Sequence, residues 1–182
     1  FIAIQNGEKM ISIKKIKSKN LNINSTKEDL LVIGMFENDN TILKNFDNPI
    51  YEKINKMLKL EKFSGKWENK ILLYIDDDIK RLLVVGLGAQ KKFNDEKKRQ
   101  IGSFVYSSIR SLELNKITIF SESFNLNNDY SSQSFVEGLV LASYSFNDYK
   151  TKNKKKIKNL DIFLSKSVSD ISINIGYTIA KG

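Results

Sequence analysis

Short apolar segments alternate with polar, turn-forming residues along this chain of 182 residues, and their lengths predict strands and helices. The connection between residues 70–75 and 81–87 is short enough to predict an antiparallel hairpin. The first 16 residues alternate loosely and predict one or two strands, with Asn6-Gly7 as a turn. Five segments have the length and apolar character of buried strands: residues 29–36 (DLLVIGMF), 70–75 (KILLYI), 81–87 (RLLVVGL), 116–120 (KITIF) and 160–164 (LDIFL).

Four helices are predicted where apolar residues recur every three or four positions. The first begins near Pro49, and the second follows Asn94, a favourable N-cap residue with Asp95 and Glu96 behind it. The fourth covers residues 171–181. The apolar stripes of the first three are Ile54, Met57 and Leu58; Ile101, Phe104, Val105, Ile109 and Leu112; and Phe135, Leu139, Ala142 and Phe146. The order β-β-α-β-β-α-β-α-β-α predicts an α/β fold, a mixed β-sheet flanked by helices on both faces.

Histidine and cysteine are both absent from the chain. Without imidazole or thiol groups it has no Ser-His-Asp triad, no histidine general base, no cysteine nucleophile, no disulfide and no His- or Cys-ligated zinc. Any chemistry would have to rest on carboxylates, lysines or tyrosines. The composition therefore argues against a self-contained enzyme.

The apolar runs are also too short for a membrane protein. None approaches the ~20 residues that span a bilayer, and the first residues lack the basic and apolar regions of a signal peptide. We therefore expect a cytoplasmic protein with no membrane partner. Because the chain begins with Phe1 rather than methionine, we expect a fragment or a processed product, with Met10 as a candidate natural start.

The formal net charge of +9, from 30 basic and 21 acidic residues, raises the alternative of a nucleic-acid-binding module. Only three of the basic residues are arginines, whose planar guanidinium suits base and phosphate recognition, so DNA binding is possible but not favoured. A solvated connector is the simpler interpretation of the basic run before the last strand. The candidate basic surface in that run consists of Lys152, Lys154, Lys155, Lys156 and Lys158.

Three further motifs are open to a binding interpretation, and each has a simpler structural one. Asp76-Asp77-Asp78 offers ligands for a hard cation, but three acids between two strands are also typical of a solvated turn. Gly86-Leu87-Gly88 follows a strand, but Lys91 stands where a dinucleotide-binding fingerprint has its third glycine. We expect a turn there rather than a site for ADP-ribose or another nucleotide. Gly138 lies inside the third helix, where we expect close approach of a strand or helix rather than a ligand.

Residues 63–88 (FSGKWENKILLYIDDDIKRLLVVGLG) combine a Phe-x-Gly-Lys turn, a strand hairpin and a Gly-Leu-Gly turn, and they continue into a charged helix start, KKFNDEKKRQIG. Residues 136–150 (VEGLVLASYSFNDYK) follow the pattern Glu-Gly-Leu-x-Leu-Ala-x-Tyr-x-Phe-x-x-Tyr-Lys. In this order and at this spacing, the two segments resemble the N-terminal domain of the leucine aminopeptidase (cytosol aminopeptidase) family of two-metal metallopeptidases. The resemblance covers residues 30–182.

The resemblance implies a macro-domain-like fold and a parent enzyme that removes N-terminal residues from peptides. In that family two divalent metals, Zn or Mn, activate a water molecule and polarise the scissile carbonyl. Their lysine and carboxylate ligands belong to a C-terminal domain whose motifs do not occur here. The resemblance therefore implies no catalytic residue, no metal ligand and no cofactor within this chain. The resemblance further implies that residues 1–165 are the non-catalytic N-terminal domain, and that residues 166–182 begin a linker helix toward an absent C-terminal catalytic domain. A homo-hexamer is implied for the full-length protein.

Overall fold

The computed structural model describes residues 11–15, 23–24, 29–75, 79–144, 160–165 and 168–181. The order of its elements confirms the predicted order of strands and helices, and the predicted turn at Asn6-Gly7 lies outside the described residues. Short 3-10 segments lie at Thr41–Asn45, Gln90–Lys92 and Ser121–Phe124. The strands and longer helices are β1 (Ile11–Lys15), β2 (Leu30–Met35), α1 (Asn48–Leu60), β3 (Lys70–Leu73), β4 (Leu82–Gly86), α2 (Asp95–Arg110), β5 (Lys116–Ile119), α3 (Asp129–Tyr144), β6 (Leu160–Leu164) and α4 (Asp170–Lys181).

The described strands form one six-stranded sheet in the order β1-β6-β5-β2-β4-β3. Five strands run parallel, while β3 pairs antiparallel with β4 at one edge, which confirms the predicted hairpin and the mixed sheet. All six residues of β2 are buried, as expected of a strand covered on both faces. Its side chains alternate between two cores, with Leu30 and Val32 in one and Leu31 and Ile33 in the other.

Helices cover both faces of the sheet, as predicted. On one face α1 packs over β2, β3 and β4 through Ile50, Ile54 and Leu58. On the other face α2, α3 and α4 share a core with side chains from five of the strands. The Tyr177 hydroxyl of α4 donates a hydrogen bond of 2.9 Å to the carbonyl oxygen of Ile11 in β1, which joins the last described helix to the first described strand.

Helix α3 occupies the middle of the three-helix layer and contacts both α2 and α4. The predicted apolar stripe is therefore too narrow, because Val136 and Val140 are buried as fully as Phe135 and Leu139. Phe146, the last residue of that predicted stripe, lies outside the described residues. A helix with neighbours on both sides and a sheet beneath it is buried on most of its circumference.

Helices α2 and α3 cross with their backbones in contact at two glycines. A Cβ atom on Gly138 would lie 1.9 Å from the carbonyl oxygen of Arg99, and one on Gly102 would lie 2.3 Å from that of Phe135. The Ser103 hydroxyl donates to the Gly138 carbonyl oxygen at 2.9 Å across the same crossing. The close approach predicted for Gly138 is confirmed, and its partner is α2.

Charged side chains also join α2 to α3. Arg99 Nε lies 3.0 Å from Glu137 Oε1, and this partner raises the pKa of the Arg99 guanidinium. The preceding residue of α2, Lys98, donates from Nζ to Ser131 Oγ of α3 at 2.7 Å and to Asp95 Oδ1 at 3.0 Å. The hydrogen bond from Lys98 lowers the pKa of the Asp95 carboxyl, so this network favours its ionised form.

The predicted helix starts are confirmed by their caps. Asn94 Oδ1 accepts a hydrogen bond from the backbone N–H of Lys97 at 2.9 Å. Asp47 caps α1 by accepting from the backbone N–H of Ile50 at 3.3 Å, and Pro49 lies in the first turn. Within the described ranges, none of the helices combines the length and the apolar character that crossing a membrane requires.

Candidate functional site

A crevice of about 200 Å³ opens at the carboxyl ends of β2 and β5, and we call it the strand-end crevice. The chain order reverses at β2, because β4 lies on one side of this strand and β5 on the other. In open α/β sheets, ligands bind outside the carboxyl ends of the strands at such a reversal point. The crevice is lined by Gly34, Phe36, Asp39, Thr41, Ile42, Asn45, Gln90, Glu122, Ser123 and Asn125.

Serine hydroxyls hold the floor of the strand-end crevice in place. Ser123 Oγ accepts a hydrogen bond from the backbone N–H of Gly34 at 2.8 Å and donates to the carbonyl oxygen of Phe120 at 2.6 Å. Ser165, at the end of β6, accepts from the backbone N–H of Ser121 at 2.7 Å and donates to the carboxylate of Glu122. These hydrogen bonds join the segment after β5 to the ends of both neighbouring strands, β2 and β6.

The charged groups that line the strand-end crevice are carboxylates, from Asp39 and Glu122. The backbone N–H of Thr41 donates to Asp39 Oδ1 at 2.9 Å, and this hydrogen bond lowers the pKa of the carboxyl. The lining residues include no lysine or arginine. The negative charge of this lining disfavours phosphate groups inside the crevice.

The Gly86-Leu87-Gly88 turn has no free amide for a phosphate. The N–H groups of Gly86, Leu87 and Gly88 donate to the carbonyl oxygens of Asn69, Met35 and Gly65 at 2.7, 2.9 and 2.9 Å. Gly88 has a φ of +68°, a conformation that favours glycine. Gly86 is the last residue of β4, and a Cβ atom there would lie 2.0 Å from the carbonyl oxygen of Lys66, so this glycine admits the neighbouring chain.

Trp67 lies beside this turn, where it is half-buried against the core. Its ring stands 6.5 Å from that of Phe93 between centroids, and the ammonium group of Lys97 lies 4.0 Å above it. A cation over an indole face contributes on the order of 0.5–1 kcal/mol at an exposed site. Trp67 thereby closes an edge of the core.

Two segments that the sequence singled out lie outside the described residues. One holds the candidate basic surface of Lys152, Lys154, Lys155, Lys156 and Lys158, and the other is Asp76-Asp77-Asp78, where a solvated turn is expected. Both remain predictions. In the described part of the chain, no group of three or more acidic side chains is placed to hold a metal ion.

Sequence reasoning missed the strand-end crevice. Asp39 lies in a loop and Glu122 in the 3-10 segment after β5, and no sequence pattern marks an isolated carboxylate at either position. They line one crevice because β2 and β5 are neighbours in the sheet, and strand order is not written in local periodicity. The detectable signal was the ends of two buried parallel strands, each followed by polar residues.

Comparison with known proteins identifies the family of this chain. A family model described as "Cytosol aminopeptidase family, N-terminal domain" matches residues 32–153. A probable cytosol aminopeptidase of Sulfurihydrogenibium sp. is 26% identical over 159 residues, which are 84% of this chain and 32% of that protein. The chain thus spans about a third of the length of this curated relative.

Two solved structures show the fold. A tomato leucine aminopeptidase mutant superposes with a TM-score of 0.68 at 20% identity, covering 98% of this chain and 37% of that one. A macrodomain mutant from Oceanobacillus iheyensis superposes with a TM-score of 0.61 at 10% identity, covering 99% of this chain and 95% of that one. At these identities the likeness concerns architecture, and the macro-domain-like fold is confirmed.

Proposed function

Since this chain belongs to the cytosol aminopeptidase family, as its N-terminal domain, we propose that it is the non-catalytic part of a leucyl aminopeptidase that removes N-terminal residues from peptides. The match of the family model over residues 32–153 carries the proposal. In it, residues 1–165 form the accessory domain, and residues 166–182 begin a linker helix toward a C-terminal catalytic domain. The full-length enzyme is proposed to be cytoplasmic and hexameric.

The proposal places the chemistry outside this chain. Two divalent metals, Zn or Mn, would be held by the catalytic domain and would supply an activated water. The described residues do not fit such a pair, because they bring together no group of three acidic side chains that could hold a metal ion. The accessory domain would act through assembly and through access to the catalytic domain.

The proposal is tested by hydrolysis of a leucine anilide with added manganese or zinc. We expect no turnover by the 182-residue chain, and metal-dependent turnover by the protein encoded by the complete reading frame. Metal-dependent turnover by the 182-residue chain alone would refute the non-catalytic role. A complete reading frame that encodes no lysine-and-carboxylate metal site would refute the family-based function.

Nucleic-acid binding is the second candidate, and the net charge of +9 favours it. Affinity for DNA should be measured against salt concentration, and with competing sequences, because any basic protein loses DNA affinity as salt rises. The candidate surface predicts that replacing Lys154, Lys155 and Lys156 by glutamate abolishes binding. Unchanged binding by that triple variant would exclude the surface. The carboxylates of the strand-end crevice argue against the remaining alternative, an ADP-ribose site.

A further inference from the structure

Helix α4 presents a row of isoleucines to solvent. Ile171, Ile175 and Ile179 follow one another at intervals of four residues, and 64%, 40% and 47% of their respective surfaces are exposed. Residues spaced in this way lie on one side of a helix, so the three side chains form a continuous apolar row about 12 Å long. We call it the isoleucine stripe.

The isoleucine stripe does not follow from the composition of the chain alone. Every isoleucine of the described residues that is exposed lies on α4, whereas those elsewhere are buried or half-buried. A chain merely rich in isoleucine would scatter the exposed ones over several elements. Isoleucine is also a weaker helix former than the residues that usually fill exposed helix positions, because its branched side chain loses rotamer freedom there.

The opposite side of α4 is already engaged within the domain. Ile173 and Tyr177 are buried in the main core, and Gly176 lets α4 approach α3 at Val136. Ser169 and Ser172, at the start of the helix, both donate to Asp129 of α3, at 2.7 and 2.8 Å. The helix is therefore fixed in its orientation, and the isoleucine stripe points outward from a rigid support.

We propose that the isoleucine stripe is the docking surface for the catalytic domain of the same polypeptide. This inference rests on the proposed function. It is supported by the length of the curated relative, of which this chain spans 32%, and by the position of α4 as the last described element. A domain that follows the N-terminal domain in sequence enters next to α4 and can cover the stripe without a long linker.

Accessibility labelling tests this assignment, because the chain contains no cysteine and each introduced thiol is unique within it. The Ile175→Cys variant is labelled with a maleimide in the 182-residue chain and in the protein encoded by the complete reading frame. The Leu60→Cys variant is the control, since Leu60 is an apolar residue 71% exposed on α1, on the other face of the sheet. Peptide-resolved mass spectrometry identifies the labelled site in both proteins.

We expect Ile175→Cys to react at least about tenfold more slowly in the complete protein than in the 182-residue chain, since reactivity depends on exposure. The Leu60→Cys variant is expected to react equally fast in both. If Ile175→Cys reacts equally fast in both, the stripe is not the docking surface, even where the complete protein hydrolyses leucine anilides. An inactive complete protein would instead refute the proposed function. The labelling rates of Ile175→Cys would still decide whether the stripe is covered in the complete protein.

A second pair of variants separates docking from folding. Ile175→Glu and Asn174→Glu introduce the same charge at adjacent exposed positions of α4. In the 182-residue chain both should shift Tm by less than about 2 °C, as surface substitutions do. In the complete protein only Ile175→Glu should lower Tm further, and equal effects would contradict the assignment. If the 182-residue chain forms a dimer and Ile175→Glu dissociates it, the stripe binds a second copy of the chain, and the proposal is overturned.

Discussion

Replacing Gly138 by alanine tests the crossing of α2 and α3 directly. The added methyl group would lie 1.9 Å from the carbonyl oxygen of Arg99, whereas real Cβ atoms essentially never approach another heavy atom within 3.0 Å. The two helices must therefore separate by about 1.1 Å at this point. The obstacle is a backbone atom inside a helix, which cannot rotate away as a side chain can.

The expected cost follows from the packing around α3. A gap of this size forfeits about a quarter to a half of the attraction in each contact that it opens, and overpacking costs ~1–3 kcal/mol or more. The better helix propensity of alanine returns ~1 kcal/mol. Because α4 packs on the other side of α3, the helix has little room to shift. We expect Gly138→Ala to lower the free energy of unfolding by about 2–4 kcal/mol, or Tm by about 5–15 °C.

Urea denaturation followed by the fluorescence of Trp67 measures this change. Gly176→Ala is the comparison variant, because its methyl group would meet Val136 Cγ1 at 2.9 Å and Val136 Cβ at 3.0 Å, while the nearest backbone atom of α3, the Gln133 carbonyl oxygen, lies at 3.1 Å. We expect it to cost less than Gly138→Ala, since it brings no backbone atom within 3.0 Å. Gly102→Ala should resemble Gly138→Ala, since its obstacle is also a backbone oxygen, at 2.3 Å. If Gly138→Ala proves as stable as Gly176→Ala, the crossing is not as tight as described.

Three further predictions concern polar contacts. Glu137→Gln should lower the free energy of unfolding by about 1–2 kcal/mol in urea titrations, because the Arg99 guanidinium loses the more buried of its two charged partners and keeps only Glu96. A hydrogen bond from Lys98 lowers the pKa of Asp95, so the ionised carboxylate stabilises the fold above about pH 4, and this stabilisation is lost as the pH falls further. When the pH is lowered from about 5 to 3, the free energy of unfolding of Asp95→Asn should therefore fall less than that of the wild type. Ser123→Ala should cost about 1–3 kcal/mol by leaving a buried backbone N–H without its acceptor, whereas Ser121→Ala should cost under about 0.5 kcal/mol, because that hydroxyl has no hydrogen-bond partner among the described residues.

The elements of this fold could be predicted from the sequence because their signals are local. A run such as LLVVG is buried on both faces wherever it lies, and Asn94 caps α2 through a backbone group three residues away. The β3–β4 hairpin was also predictable, since its strands are too close in sequence for a crossover. Gly138 indicated a close approach because a glycine inside a helix is itself a local signal. Gly102 in α2 is also a glycine inside a helix, but the sequence analysis did not use it.

The neighbours of each strand could not be predicted in this way. Periodicity shows that a segment is a buried strand, but every buried parallel strand has nearly the same pattern, so the pairing of β1 with β6 leaves no trace in either segment. The strand-end crevice depends on such a pairing and was hidden for the same reason. The outward side of α4 was hidden too, because a helix apolar on two sides looks in sequence like one that is fully buried.

The pairing of β1 with β6 has a consequence for synthesis on the ribosome. Leu160 follows Lys15 by 145 residues, so the partner of β1 emerges roughly 7–30 s later at ~5–20 residues per second. During that interval the nascent chain can assemble β2, β3, β4 and β5 with α1 and α2, while β1 waits unpaired. Lysines at the end of β1, including Lys14, discourage it from pairing with strands of other chains meanwhile. We therefore expect closure of the sheet by β6 and α4 to be the last step of folding.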